Sequence, residues 1–321
     1  MSIRTAALFG ALVADAAALG THWIYSPPRI QALLDEPGFP FITPDPDHYE
    51  GVEGYFAHGA KAAGELSPYG EWLALYIRTF ADPLASVRDA QMAAVSHFGP
   101  GGEFIGYIDS PTRALLTQLM ALEPDSWPED SGSDDDQNTA LCAVAPLVCT
   151  LDDSELLTDC INQFVGMTHQ NDVALASAHA FAAALKEAIA TQRIENVLNI
   201  LQLKSPDPIQ ERIVTLRNLD PKDDHLSHVL TVVNQACHLA DSLPLSAWLL
   251  SNATSYRQVV LNNILASGDS CGRAIMIGAI AGACFGIGGE KGIPISWLTT
   301  LQQAEFLSED IELLFATRLQ D

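Results

Sequence analysis

Two carboxylates stand where a carboxylate is costly. Asp15 lies among Ala, Leu and Val in the run ALFGALVADAAALG, and Asp269 opens the apolar run that follows SGDSCGR. Burying such a group requires a cation, a backbone donor, a metal or a ligand to meet it; a structural salt bridge would answer the same need at Asp15. Ser267 and Asp269 are residue types that begin helices. A helix starting there presents free amide donors, the Asp269 carboxylate, the Ser270 hydroxyl and Arg273 together, an arrangement suited to an anionic ligand. The plainer alternative is a capped core helix with Arg273 on the surface. Cys271 falls in the first turn, where the helix dipole lowers a thiol pKa, so it is expected to alkylate faster than the other cysteines.

Other residues could complete a site. His22, Trp23 and Tyr25 follow the first helix and would make a wall for a flat ligand such as a purine, or a hydrophobic anchor. His169 sits at a junction between two apolar helices, where a hydrogen-bonded core histidine is the common outcome. Asn138 reads as a helix cap. Asp134, Asp135 and Asp136 read as a solvated turn. GIGGEKG at 286–292 follows a helix instead of joining a strand to one, so it is not read as a phosphate loop. There is no zinc-ligand spacing, no G-x-S-x-G and no Walker motif.

These residues need a rigid frame, and the pattern supplies helices. Periodicity predicts helices over 5–19, 70–81, 86–98, 111–122, 138–149, 154–167, 172–190, 194–203, 208–217, 225–240, 245–266, 270–286, 295–305 and 308–318. Residues 27–59 read as a long irregular excursion of the kind that serves a site. Gly278, Gly282 and Gly286 repeat every four residues, which implies a central helix approached closely by another backbone. The expected fold is all-α, a compact multi-helix bundle, with residues 1–321 as one domain.

Composition narrows the partners. With 40 acids against 16 bases, the net charge of −24 disfavours nucleic acid and anionic membranes. A small-molecule ligand bearing phosphate or ribose remains open, because helix N-termini and local Arg side chains can overrule the global field. The six cysteines form no C-x-x-C pair, which fits reduced thiols and a cytoplasmic setting. Arg4 and the apolar stretch after it resemble a signal peptide, but Asp15 interrupts the stretch, and a retained core helix is expected. The run 274–289 is short for a membrane span. The sequence sets no oligomeric state.

The ordered segments resemble the ADP-ribosylglycohydrolase family, which includes the crystallin J1-like proteins of jellyfish lenses. DAAALG at 15–20 is similar to the family's D-A-L-G helix end, and QNTALCAVAP at 137–146 to its G-N-G-x-x-M-R-x-A-P segment. Thr168 and His169 match a Thr-His pair. GDSCGRAIMIGAIAGACFG followed by GIPISW matches its G-D-x-D-T helix start and G-I-P-x-x-W tail. The resemblance implies an all-α fold. In active members it also implies two magnesium ions that bind ADP-ribose and activate water. Their ligands come from a T-D-D-T segment, from the two acids and the threonine of G-D-x-D-T, and from a glutamate after the first helix.

This chain departs from that set. The T-D-D-T position falls on PYGE at 68–71, leaving Glu71, and the second acid and the threonine become Cys271 and Gly272. The glutamate after the first helix is replaced within HWIY at 22–25. Asp269 is the one metal-ligand candidate kept, too few oxygens for two magnesium ions, so no cofactor is expected.

Two functions follow. A hydrolase of an ADP-ribosyl or related glycosidic bond would use Asp15, Glu71 and Asp269 as acid, base and charge stabilisers, with His22 or His169 moving a proton. A non-catalytic member would bind ADP-ribose or a nucleotide, or serve as a crystallin-like structural protein.

Overall fold

The computed structural model describes residues 2–219 and 225–318. The first half of the chain forms α1 (Ile3–Ala18), α2 (Pro27–Ala32), α3 (Pro68–Phe80), α4 (Val87–Phe98), α5 (Ser110–Met120), α6 (Val144–Thr150), α7 (Ser154–Gly166) and α8 (Asp172–Thr191). The second half forms α9 (Ile194–Lys204), α10 (Asp207–Arg217), α11 (Leu226–Val229), α12 (Leu239–Ser251), α13 (Tyr256–Leu265), α14 (Ser270–Phe285), α15 (Ile295–Thr300) and α16 (Ala304–Arg318). The described residues contain isolated β-bridges but no named strand. The protein is all-α, as its periodicity predicts.

The core is organised on α1 and α14. Residues 6–18 of α1 and 270–283 of α14 are buried without interruption. Small residues explain the tightness. A methyl group at Gly278 would lie 2.4 Å from the Gly10 carbonyl oxygen, and one at Gly282 would lie 2.1 Å from that of Ala6. Gly10 answers in kind, its missing Cβ facing the Gly278 oxygen at 2.2 Å. The pairing runs antiparallel, since Ala6 meets Gly282 while Cys271 Sγ donates to the Asp15 carbonyl at 3.6 Å. The C-terminal end of α1 and the N-terminal end of α14 therefore lie together. Gly286 plays a different part. With φ of +72° it ends α14, and nothing lies near its Cβ position. Helices α3, α8, α12 and α13 pack around α14, and α3, α6 and α13 around α1.

Several helices differ from the periodicity. The stretch 138–149 is a 3₁₀ turn at Asn138–Leu141 followed by α6, the expected helix 295–305 ends at Thr300 and α16 starts at Ala304, and 225–240 holds the short α11, turns, and the first two residues of α12. The stretch 245–266 is two helices, because the chain turns at Asn252 and restarts at Ser255, whose hydroxyl accepts from the Gln258 amide at 3.2 Å. Pro244 does not stop α12. The carbonyl of Ala240, which a residue with an N–H at 244 would engage, accepts instead from Arg212 Nη1 at 2.7 Å. The excursion 27–59 contains α2 and is pinned by Tyr25 N–H to the Glu53 carbonyl at 2.9 Å.

Candidate active site

The antiparallel α1–α14 pair and the start of α3 bring Asp15 and Asp269 to one end of the core. Ser67 begins α3, and its neighbours reach both acids. Ser67 donates to Asp15 through its amide (2.8 Å) and its hydroxyl, and two residues later the Tyr69 hydroxyl donates to Asp269 Oδ2 at 3.3 Å. Both carboxylates are fully buried.

Asp15 is in an apolar wrapping with few donors. Burial pushes its pKa up to about 7, against which the Ser67 hydrogen bonds pull it down. The sign of the pH effect follows. The folded protein holds a proton that the unfolded chain, with an ordinary value of 3.8, releases earlier. Stability from this group is full below that value and is lost as pH rises toward about 7. At about 1.4 kcal/mol per pH unit, the loss is on the order of 4 kcal/mol. An Asp15→Asn variant can keep both Ser67 bonds, its amide donating to the hydroxyl. Denaturant unfolding from about pH 4 to about pH 8 should show the parent losing stability relative to this variant. Parallel profiles would contradict the burial argument.

Asp269 has the opposite balance. It occupies the N-cap position of α14, yet its side chain caps no amide. It accepts instead from Asn138 Nδ2 at 2.7 Å and Tyr69, and lies 3.1 Å from His22 Nε2. His22 Nε2 and Asp269 Oδ1 are close but not aligned for a hydrogen bond. Burial alone would raise the Asp269 pKa, but His22, Asn138 and Arg273 together hold it below the usual carboxylate range. Asn138 is itself fixed by the Ser242 hydroxyl, which donates to its Oδ1 at 2.7 Å.

The neighbouring residues fill the space around Asp269. A methyl group at Gly272 would lie 2.3 Å from Asp269 Oδ2 and 2.7 Å from Asn138 Nδ2, and one at Gly70 would lie 2.2 Å from Asp15 Oδ2. Trp23, in a left-handed conformation with φ of 61°, is held by its amide on the Gly268 carbonyl at 2.8 Å. Its ring packs against those of His22, Tyr55, His58 and Tyr107, so the expected wall for a flat ligand is occupied by the protein's own rings. Both ring nitrogens of buried His58 lack a protein hydrogen-bond partner, as do both ring nitrogens of His22, Asp269 Oδ1 and the Ser270 hydroxyl.

Several expected site residues stand elsewhere. Arg273 is not surface-exposed. It is 1% exposed, with Nε donating to Asn263 Oδ1 at 2.9 Å and its other nitrogens to the carbonyls of Asn263, Ser267 and Gln235. Burial pushes its pKa down to about 10, partly offset by Asp269. Glu71 does not join the two aspartates by any hydrogen bond. It meets Lys61 Nζ at 3.2 Å and His97 Nε2 at 3.0 Å on the far side of the α3 start. His169 bonds the Thr168 hydroxyl at 2.8 Å, and burial pushes its pKa down to about 3. Asn138 sits at the first position of a 3₁₀ turn and serves Asp269 instead of capping a helix. Ser67, Tyr69, His58 and Asn263 were not singled out by the sequence; only Ser67, a cap type before Pro68, carried a readable signal.

Cys271 corrects the expectation of a reactive thiol. It is fully buried, its hydrogen points at the Asp15 carbonyl, and burial raises its pKa well above the ordinary value despite its place in the first turn. Alkylation followed by mass spectrometry should modify the partly exposed Cys160, Cys237 and Cys284 first and leave Cys142, Cys149 and Cys271 among the slowest.

The donors present do not fit a magnesium pair. Among the described residues no group of three or more His, Cys, Asp or Glu side chains is arranged to hold a metal ion. Both oxygens of Asp15 accept from Ser67, Asp269 Oδ2 accepts from Asn138 and Tyr69 while its Oδ1 faces His22 without a hydrogen bond, and the position of the resembling family's threonine ligand is Gly272, packed against Asn138. The nearest open cavity, about 760 Å³, is lined by Tyr25, Glu53, Asn234, Gln235 and Asp241. It is divided from Asp269 by the backbone of Gln235, whose carbonyl accepts from the Asp269 amide at 2.8 Å.

Comparison with known proteins agrees with the fold. The family model described as ADP-ribosylglycohydrolase matches residues 4–321. Crystallin J1A of Tripedalia cystophora is 24% identical over 324 residues, covering 96% of this chain and 95% of that protein. A solved structure described as an ADP-ribosylglycohydrolase-related protein complex superposes with a TM-score of 0.72 at 16% identity, covering 99% of this chain and 98% of the other. At that identity the superposition speaks for the fold alone.

Proposed function

The chain belongs to the ADP-ribosylglycohydrolase family, and on that premise we propose that it is a non-hydrolytic member whose central carboxylate site is closed by its own side chains. One observation carries the reading: Asp269, the acid retained at the start of α14, is fully buried and shared among His22, Tyr69 and Asn138. A hydrolase needs a carboxylate that can meet the substrate and the attacking water. Asp269 Oδ2 is held by Asn138 and Tyr69, and Oδ1 is turned to His22 inside a fully buried carboxylate. Asp15 favours its neutral form up to about pH 7, and Glu71 is committed to Lys61 and His97.

The role that fits is a durable soluble body, as the name of its relative crystallin J1A suggests for that protein. A net charge of −24 opposes self-association, and burial keeps most thiols protonated. A second reading, binding of an ADP-ribose-type ligand without turnover, is favoured by the cavity beside Tyr25, where Glu53 could accept from ribose hydroxyls.

The test is turnover. With millimolar Mg²⁺ and ADP-ribosylated arginine, serine or ADP-ribosyl-acetyl substrates, the protein should release no ADP-ribose above the rate of its Asp269→Asn variant. Release that depends on Asp269 would overturn the proposal. Saturable ADP-ribose binding without release would support the second reading.

A further inference from the structure

A cavity of about 280 Å³ opens beside α3, and its lining carries charges of both signs. Its floor is an ion-pair network closed on itself. Lys61 is buried. It donates to Glu71 Oε1 at 3.2 Å, has Glu65 Oε1 at 3.8 Å and lies over the Phe104 ring at 4.5 Å from the centroid. The second Glu71 oxygen meets His97 Nε2 at 3.0 Å. These groups answer one another's charge and leave little for a ligand.

The wall differs from the floor. Arg78 and Glu103 line it with opposite charges, and both are loosely held. Arg78 Nη1 stands 3.7 Å from Asp310 Oδ2, and among the described residues its side chain makes no other hydrogen bond or ion pair. Glu103 turns Oε2 toward His97 Nδ1 at 3.4 Å, which orients the carboxylate and leaves Oε1 to accept. Gln303 also lines the cavity, and among the described residues its side-chain amide makes no hydrogen bond, so it offers a donor and an acceptor. The apolar part of the lining is Ala60 and the exposed Ile105, since Lys61 already covers the Phe104 ring.

We infer that this cavity binds a small zwitterion, an aliphatic amino acid whose carboxylate meets Arg78 and whose ammonium group meets Glu103. The planar guanidinium fork matches a carboxylate, and an ammonium group brings three donors to the free Glu103 oxygen. A cation alone would face Arg78 and Lys61, and an anion alone would face Glu65 and Glu103. A molecule with both charges answers each wall with its opposite. The volume lies just below the range of drug-sized sites, about 300–1,000 Å³, which suits a short chain. Ile105 and Ala60 would cover its methylene groups. The inference does not rest on whether the carboxylate centre at Asp269 is closed or active, because none of the groups holding the ligand touches it.

Calorimetry and ligand-observed NMR on the full chain test this. The series glycine, β-alanine, 4-aminobutyrate and 6-aminohexanoate reads the distance between the two charges, with butylamine and butyrate as single-charge contrasts. At least one member of the series should bind saturably with a Kd on the order of 1 mM, and more weakly as NaCl is raised. Arg78→Gln and Glu103→Gln, both at exposed side chains where folding is not at stake, should each weaken that binding about fivefold. Butylamine and butyrate should bind at least about fivefold more weakly than the best zwitterion. Absence of saturable binding across the series, binding untouched by Arg78→Gln or by Glu103→Gln, or a single-charge compound that binds as tightly as the best zwitterion would each overturn the assignment.

Discussion

Replacing Gly278 by valine is expected to cost the protein at least about 3 kcal/mol, the upper part of the range for forcing extra carbon into a packed core. The reason is backbone, not side chain. The first carbon added at 278 would sit 2.4 Å from the Gly10 carbonyl oxygen and 2.7 Å from Ala14 Cβ, and no rotamer moves either. Helix α1 would have to retreat from α14 along its length, and both are buried on nearly every side. Against a total stability of about 5–15 kcal/mol, that is a large fraction. On the scale of a large domain the fall in Tm should be roughly 6–12 °C. Gly166→Ala is the control. It is also helical, but its new carbon would meet the end of the Gln170 side chain at 3.2 Å, which can swing away, and Asp130 Oδ1 at an ordinary contact distance of 3.6 Å. It should change stability by less than about 1 kcal/mol. Equal losses in the two variants would mean that glycine content, and not helix approach, explains the stripe.

The second large effect should come from Asp269→Ala. The carboxylate is the common acceptor for Asn138 and Tyr69 and the close electrostatic partner of His22. It also raises the pKa of Arg273, a fully buried cation whose hydrogen-bond partners, Asn263, Gln235 and Ser267, are all neutral. Removing it orphans buried donors and leaves that cation unbalanced, a loss of about 3–5 kcal/mol. The pH dependence has a definite sign. Because the folded-state pKa of Asp269 lies below the ordinary 3.8, its stabilisation is present above that value and disappears as pH falls through the folded-state value. The gap in stability between parent and Asp269→Ala should therefore close in acid, as measured by urea unfolding between about pH 7 and about pH 3. A gap that widened in acid would show that Asp269 is protonated at neutral pH and that its partners are arranged around a neutral acid.

The sequence made the frame readable because the frame depends on local signals. Gly278 and Gly282 pointed to a close helix approach, and that approach is found. Their partner Gly10 was not singled out, because one glycine in an alanine-rich helix carries no period of its own. The break between α12 and α13 was missed because Asn252 to Ser255 changes polarity too little to interrupt a helical pattern. At the site, an acid in an apolar run correctly signalled that Asp15 and Asp269 need partners, but not which ones. The partners come from long range: Ser67 is 52 residues from Asp15, and Asn138 is 131 from Asp269. The interior partners of Arg273, Asn263 and three carbonyls, were not foreseen because the turn at 267–269 that folds α13 back beside α14 leaves no pattern pointing to them. Glu71 was misplaced for the same reason. Its carboxylate is taken by Lys61 and His97, ten and 26 residues away, which no local pattern announces.

Magnesium titration by calorimetry addresses the closed carboxylate centre most directly. If the Asp269 oxygens are committed to Asn138, Tyr69 and His22, the protein should give no saturable heat with millimolar Mg²⁺ and no rise in Tm, and Asp269→Asn should behave identically in both. Stoichiometric Mg²⁺ binding that disappears in Asp269→Asn would show that the cation displaces these side chains, and that the centre is open to metal after all.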